Sequence, residues 1–338
     1  MTLVLPLLVA GCTRPGPGPN PPPDGDDPTE HTAHTAVPPA PQTGETGTTG
    51  DTAGHTGLAF DCSTVPAGPR PFTSTSAITT EEDFDFDGVG LLLAQNFYSI
   101  KGTDRYGAVE IVATGLSGDA AGIRVAPNGD FVYASPNDGR LVGVTRYTGA
   151  SRTLLSGLRF PNSLEMGTDG MLFASEFWNN GRLVWFDTTT LASGELGHLD
   201  YVNGMTLSMD EQVLYLASAD AYWSGASVIY AVDRQPDGTF GGGVRRVADC
   251  PTLVTSLAVD VCGNLYMAAY YDGRVFRFTE STGTFELLAD LGGGGYGGFS
   301  SIRFSPGLGG FSPTSLYATN RAQVYEIDVG VEGRHVLH

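Results

Sequence analysis

Glu82, Ala121, Asn162, Asn203, Thr255 and Ser300 hold the same place in six copies of one sequence pattern, and five of the six carry a side-chain oxygen. Carboxylate, amide and hydroxyl oxygens gathered at one point suit a hard divalent cation, calcium above all, which takes about six to eight oxygen ligands. The six residues are far apart in the chain, so any such chemistry depends on a fold that brings them together. Asn203-Gly204 is also an ordinary turn dipeptide, and polar residues at a solvated opening need no ligand, so residue type alone does not separate a cation ring from a row of turns.

The elements that must position them are strands. The copies read EEDFDFDGVGLLLAQN, AGIRVAPNGDFVYASP, NSLEMGTDGMLFASEF, NGMTLSMDEQVLYLASAD, TSLAVDVCGNLYMAAYY and SSIRFSPGLGGFSPTSLYATN. Each is a short alternating segment, a turn rich in Gly, Asn, Asp or Pro, and a second, more apolar segment. In the first segments Ile123 and Val125 point one way while Arg124 points the other, and Leu164, Met166, Met205, Leu207, Leu257 and Val259 repeat the pattern. The second segments, such as Phe131 to Ala134, Leu214 to Ala217 and Leu265 to Ala269, are apolar at consecutive positions, as in strands covered on both faces. A third strand follows, for example Arg182 to Asp187 or Arg274 to Phe278, then an outer segment. The spacing of about 40 to 50 residues is that of four-stranded propeller blades. A single sheet of this kind leaves edges and an apolar face uncovered, so the blades must stack radially around a channel. The sequence therefore predicts an all-β fold, a six-bladed β-propeller over residues 80–338, with the residue before each innermost strand at the channel mouth.

Loops joining second and third strands should open on that same face. They carry Phe97 and Tyr98, Phe177 and Trp178, Tyr222 and Trp223, and Tyr270 and Tyr271, a rim of paired aromatics suited to a small-molecule pocket or to a surface partner. No nucleophile elbow and no phosphate-binding or dinucleotide fingerprint occurs in its required strand-to-helix context. The run Gly292 to Gly298 has no helix after it to bind phosphate, which makes it a channel-rim loop.

Tyr201 to Asp210 (YVNGMTLSMD) with the following LYLASAD, Tyr230 to Asp233 (YAVD), Pro236-Asp237-Gly238, Ser256 to Met267 (SLAVDVCGNLYM) and Tyr271 to Phe278 (YDGRVFRF) resemble the senescence marker protein/gluconolactonase family and, more distantly, the paraoxonases. The resemblance extends over all six blades. It implies a catalytic divalent metal held by Glu82, Asn162 and Asn203, with Thr255 where the family has an Asp. Family lactonases use that carboxylate to hold the metal and to assist proton transfer, while the metal polarises the lactone carbonyl. Thr255 lends a neutral oxygen and is no general base near neutral pH. Asp83 and Glu81 are the nearby acids that could substitute. His198, His335 and His338 fall off the ring, which leaves a paraoxonase-type histidine without a candidate. Two readings follow: a metal-dependent lactonase or esterase with a calcium-like site, and a non-catalytic cell-surface propeller that binds a ligand or a protein.

Residues 1–11 read as an export signal, and Leu8-Val9-Ala10-Gly11-Cys12 resembles a bacterial lipobox, in which Cys12 is lipidated. No Lys or Arg precedes Cys12, a departure from that pattern. Residues 12–60, rich in Pro, Gly and Thr and including His31, His34 and His55, read as a disordered linker, because they offer too little apolar surface to offset the entropy of ordering. Residues 61–79 form a lead-in. The protein is expected in the bacterial cell envelope, tied to the membrane only through lipid, as a monomer whose partner is a small molecule or a surface ligand. A net charge of −19, with Lys101 the single lysine, excludes nucleic acid and anionic lipid as partners. Of the three remaining cysteines, Cys250 and Cys262 would sit toward opposite ends of an innermost strand. That leaves Cys62 with either of them, or three reduced thiols.

Overall fold

The computed structural model describes residues 60–75, 79–80, 82–96, 98–116, 120–219, 225–292 and 298–336. The export signal, Cys12 and, apart from Phe60, the linker lie outside the described residues, as do Glu81, Phe97, Tyr222, Trp223, His338 and the interior of the Gly292 to Gly298 run. No helix among the described residues is long and apolar enough to cross a membrane.

Alternation in the sequence becomes six four-stranded antiparallel sheets. In chain order, strand β1 (Phe72–Thr75) comes first. The first blade is β2 (Phe84–Phe86), β3 (Leu92–Asn96), β4 (Ser99–Thr103) and β5 (Val109–Thr114). The second is β6 (Ile123–Val125), β7 (Phe131–Ser135), β8 (Arg140–Val144) and β9 (Ser151–Ser156), and the third β10 (Pro161–Met166), β11 (Met171–Glu176), β12 (Gly181–Asp187) and β13 (Ser193–Leu199). The fourth is β14 (Val202–Leu207), β15 (Val213–Ser218), β16 (Ser227–Arg234) and β17 (Phe240–Cys250), and the fifth β18 (Val254–Val259), β19 (Leu265–Ala269), β20 (Arg274–Thr279) and β21 (Thr284–Asp290). The sixth contains β22 (Ser301–Phe304), β23 (Ser315–Thr319) and β24 (Val324–Asp328), and its outermost strand is β1, with Phe72 opposite Ile327. The protein is a six-bladed β-propeller. The segment read from sequence as a lead-in thus supplies a strand of the ring.

Burial explains why the second strands are apolar throughout: β7, β19 and β23 are buried at every position. The core is divided into six clusters, one at each interface between neighbouring blades. The interface that closes the ring joins Phe84, Phe86, Leu92 and Ala94 of the first blade to Phe311, Tyr317 and Val324 of the sixth. Phe86 meets Phe311 and Tyr317 edge-on at 5.0 and 5.3 Å, the geometry that sets the positive edge of one ring against the face of another. The innermost strands β2, β6, β10, β14, β18 and β22 contact one another around the axis. Gly122 allows that approach in the second blade, where an added Cβ would lie 2.6 Å from the Asn162 carbonyl oxygen.

Both ends of the described chain are tied to the fifth blade. Arg70 donates its backbone N–H to the Leu288 carbonyl at 2.6 Å, and Cys62 is disulfide-bonded to Cys262, the pairing that sequence left open, while Cys250 is a buried free thiol. From the other end Gly333 bridges to Asp260 and packs so closely on Phe304 that a Cβ would lie 1.9 Å from its ring. The disulfide closes a sequence separation of 200 residues. Cys262→Ser is expected to lower the unfolding free energy by about 2–4 kcal/mol, measured as an earlier guanidinium midpoint. Reduction of the parent should reproduce the loss and add nothing to the variant; equal midpoints would show that the bridge contributes no stability.

Candidate functional site

The six register-equivalent residues Glu82, Ala121, Asn162, Asn203, Thr255 and Ser300 line one narrow cavity of ≈10 Å³ on the axis. Outward from it opens a larger cavity of ≈270 Å³, floored by Glu82, Asn162, Asn203 and Thr255 and walled by Pro136, Phe160, Phe177, Leu253 and Tyr270. Local backbone explains how three of the floor residues are aimed. The ladders to the second strand shift register between Pro161 and Leu164, between Val202 and Gly204, and between Val254 and Ser256. Asn162, Asn203 and Thr255 fall in those shifts, and a β-bulge turns a side chain away from strict alternation.

Asn162 and Asn203 are half-buried, and their side-chain amides make no hydrogen bond to another described residue. Thr255 is buried and its hydroxyl donates to the Phe299 carbonyl at 2.7 Å. Ser300 Oγ is buried with no hydrogen-bond partner among the described residues, an orphaned group of the kind that a ligand or water satisfies. Glu82 forms an ion pair with Arg321 Nη2. No trio of His, Cys, Asp or Glu side chains among the described residues gathers to hold a metal. A cation here would therefore draw on amide and hydroxyl oxygens beside the Glu82 carboxylate. The donor set suits a hard cation in atom type, with one negative charge that Arg321 shares.

The aromatic pairs read as a rim are placed differently from one another. Phe177 and Tyr270 line the cavity, and Tyr271 packs edge-on against Tyr270 at 5.1 Å. Phe160, which has no place among the aromatic pairs read from sequence, lies tilted against Phe177 at 6.5 Å, and Tyr201 meets Phe177 edge-on at 5.5 Å. Trp178 and Tyr98 are not among the residues lining the cavity, and Tyr98 is 66% exposed. His198 lies within the outermost strand β13, paired with Glu195 at 2.8 Å and remote from the axis.

Three residues deeper along the innermost strands comes a second ring, Asp85, Arg124, Glu165, Thr206, Ala258 and Arg303, around a ≈30 Å³ cavity closed by Arg334, His335 and Val336 of the C-terminal tail. Arg124 Nη1 donates to Asp83 Oδ2 at 2.6 Å, and its Nε lies 3.5 Å from Glu165. Arg303 reaches Glu165 at 3.7 Å and Asp83 at 3.8 Å. Arg334 enters from the opposite face, paired with Glu165 and, at 2.7 Å, with Glu211, and donates to the Met166 carbonyl at 2.6 Å. Asp83 also accepts from Ser301 Oγ and the Ile123 N–H, so it is engaged within the channel. Burial pushes both Asp85 and Glu165 above the ordinary carboxylate range. Arg124 opposes the shift at Asp85, and Arg334 and Arg124 oppose it at Glu165.

No family model matches the sequence, and no curated protein matches it. Similarity appears in structure. A gluconolactonase from Xanthomonas campestris superposes with a TM-score of 0.60 at 17% identity, over 78% of this chain and 97% of its own. A luciferin-regenerating enzyme gives 0.62 at 13% identity over 79% and 98%. A chain from a nidogen–laminin complex gives 0.54 at 15% identity over 68% and 84%. The class is thus a six-bladed propeller, a fold shared with a gluconolactonase, a luciferin-regenerating enzyme and a chain of a nidogen–laminin complex, and fold alone does not fix function.

Three variants probe the channel. Arg334→Ala removes the nearest guanidinium from Glu165 and the one paired with Glu211, both buried carboxylates, and is expected to destabilise by about 3–5 kcal/mol. Adding Glu165→Gln should recover part of that; a double variant no more stable than the single one would exclude an uncompensated Glu165 charge as the cause. Because the folded state favours protonated Asp85, its stabilising contribution is complete below the unfolded value of 3.8 and is lost as pH rises toward the raised one. The melting temperature of Asp85→Asn, which resembles the protonated form, should therefore gain on the parent as pH rises above 3.8. A pH-independent gap would contradict this.

Proposed function

We propose that the channel-mouth cavity binds a small polar ligand and that Glu82, Asn162, Asn203 and Thr255 hold a divalent cation, calcium by preference, at its floor. The observation that carries this reading is the convergence of unbonded Asn162 and Asn203 amides with Glu82 beneath an aromatic wall. A bound cation would supply Lewis acidity toward a carbonyl oxygen. The chain's own residues orient the ligand: Phe160, Phe177 and Tyr270 pack its apolar part, and the floor oxygens receive its polar end. The enzymatic form of this reading is a metal-dependent lactonase or esterase of gluconolactonase type, supported by the shared architecture.

One observation favours the non-catalytic form, capture of a ligand at the cell surface. The Thr255 hydroxyl donates to Phe299 and the Asp83 carboxylate is bound to Arg124 and Ser301, so neither stands ready to take a proton beside Glu82. We propose further that the protein is exported, lipid-anchored through Cys12 and monomeric. The Cys62–Cys262 bridge supports an oxidising compartment.

Calorimetric titration with calcium should give one site in the parent, weakened about tenfold or more in Glu82→Ala, because the lone ring carboxylate supplies the charge that calcium needs. A panel of lactones with and without calcium then separates the two forms. Calcium-dependent turnover establishes the enzyme, and calcium binding without turnover establishes the binding protein. Equal and negligible calcium binding in parent and variant would end the cation reading.

A further inference from the structure

Among the described residues that line the mouth cavity, two carry full charges, Glu82 and Arg321, and they are paired with each other. Arg321 sits in the turn between β23 and β24 at φ +70°, a backbone conformation that few large side chains adopt. Its N–H donates to Thr319 Oγ1 at 3.0 Å and its carbonyl accepts from the Thr80 N–H at 3.1 Å, so the turn is held at both ends of the residue. Phe160, at φ +48°, lines the same cavity. Strained non-glycine backbone persists where the surroundings fix it, and it gathers where a side chain must be aimed. The guanidinium is also incompletely used: Nε is buried and without a hydrogen-bond partner among the described residues.

Glu82 therefore faces two competing cations. A guanidinium already holds it, and a calcium ion on the same floor oxygens would need it. Two positive centres sharing one carboxylate repel each other, and the repulsion grows as the cavity excludes water. A displaced guanidinium is left over an apolar wall with donors pointing into the cavity, and the planar carboxylate is the group that best fits its fork.

We propose that Arg321 and Glu82 form an exchange latch that makes the cavity selective for small carboxylates. Calcium takes Glu82, and the released Arg321 takes the ligand's carboxylate, whose apolar body packs on Phe160, Phe177 and Tyr270. The proposal rests on the cation reading above and deepens it by naming the ligand class. Calcium and carboxylate then bind with positive coupling, each raising the affinity of the other by the same factor. A neutral ester or amide of the same acid gains nothing from the open latch.

Calcium titration and arginine-directed labelling of the full chain test the latch. Phenylglyoxal reacts with accessible guanidinium groups, and its attachment at Arg321 is read by peptide mass spectrometry. Calcium is expected to raise the labelling rate of Arg321 severalfold. Benzoate added with calcium should suppress it, and benzamide should not. Arg321→Gln should bind calcium about fivefold more tightly than the parent, because Glu82 loses a competitor, whereas Arg321→Lys should stay near the parent. Glu82-dependent calcium binding with unchanged Arg321 labelling overturns the latch and leaves the cation reading intact. Absence of calcium binding in both the parent and Arg321→Gln overturns both. Equal protection by benzoate and benzamide overturns the carboxylate selectivity.

Discussion

Six innermost strands converge on one axis, and the side chains that alternation sends inward must be accommodated there. In many positions a small residue would suffice, as Ala258 does. This chain instead sends Asp85, Arg124, Glu165 and Arg303 to a single level of the channel and adds Arg334 from the tail. Charges taken out of water are tolerated only when each finds an opposite charge or a hydrogen bond. Here every carboxylate at that level faces at least one guanidinium, and the guanidinia bridge between blades rather than within them: Arg124 joins the first three blades through Asp83 and Glu165, and Arg303 connects the sixth blade to the first and third. The network holds the blades in register as well as filling the bore. Burial raises Asp85 and Glu165 against the pull of those guanidinia.

Plugging the bore determines what the mouth can be. With the ion pairs and the tail beneath it, the mouth is a blind pocket rather than one end of a tunnel, so a ligand enters and leaves by the same face. Its floor is shaped by bulges in β10, β14 and β18 that reorient one residue per blade, and its rim by strained backbone at Phe160 and Arg321. The outer strands carry register shifts of their own, between the third and fourth strands of the first five blades, so a shift in the ladder does not by itself mark the mouth.

The blade count, the strands and the ring Glu82, Asn162, Asn203 and Thr255 were legible because a repeated pattern puts equivalent residues in equivalent places. The second ring was equally legible in principle. Arg124 was seen to point away from Ile123 and Val125, and the same register applied to every copy selects Asp85, Glu165 and Arg303. What hid it was reading the alternation for the apolar residues alone. The Arg321–Glu82 pair and the intrusion of Arg334 could not be read that way. Each joins residues far apart in the chain, and side-chain pairing of that kind leaves no spacing signal in one sequence. The role of residues 61–79 was hidden for a related reason: β1 is a short strand outside the repeat, and only the missing fourth strand of the last copy points to it.

That missing strand has a consequence in time. The sixth sheet is completed by β1 against β24, from the two ends of the described chain, so the circle cannot close until the last blade has been made and delivered to the first. Five blades can be built from local hairpins as the chain appears. The sixth is a long-range event whose loop-closure entropy must be met before its contacts are gained. Until then β1 and the flanks of the first and last blades are exposed edges. A chain cut short before β24 would therefore remain an open arc with unpaired edges rather than a smaller ring, the kind of species that associates with its own copies.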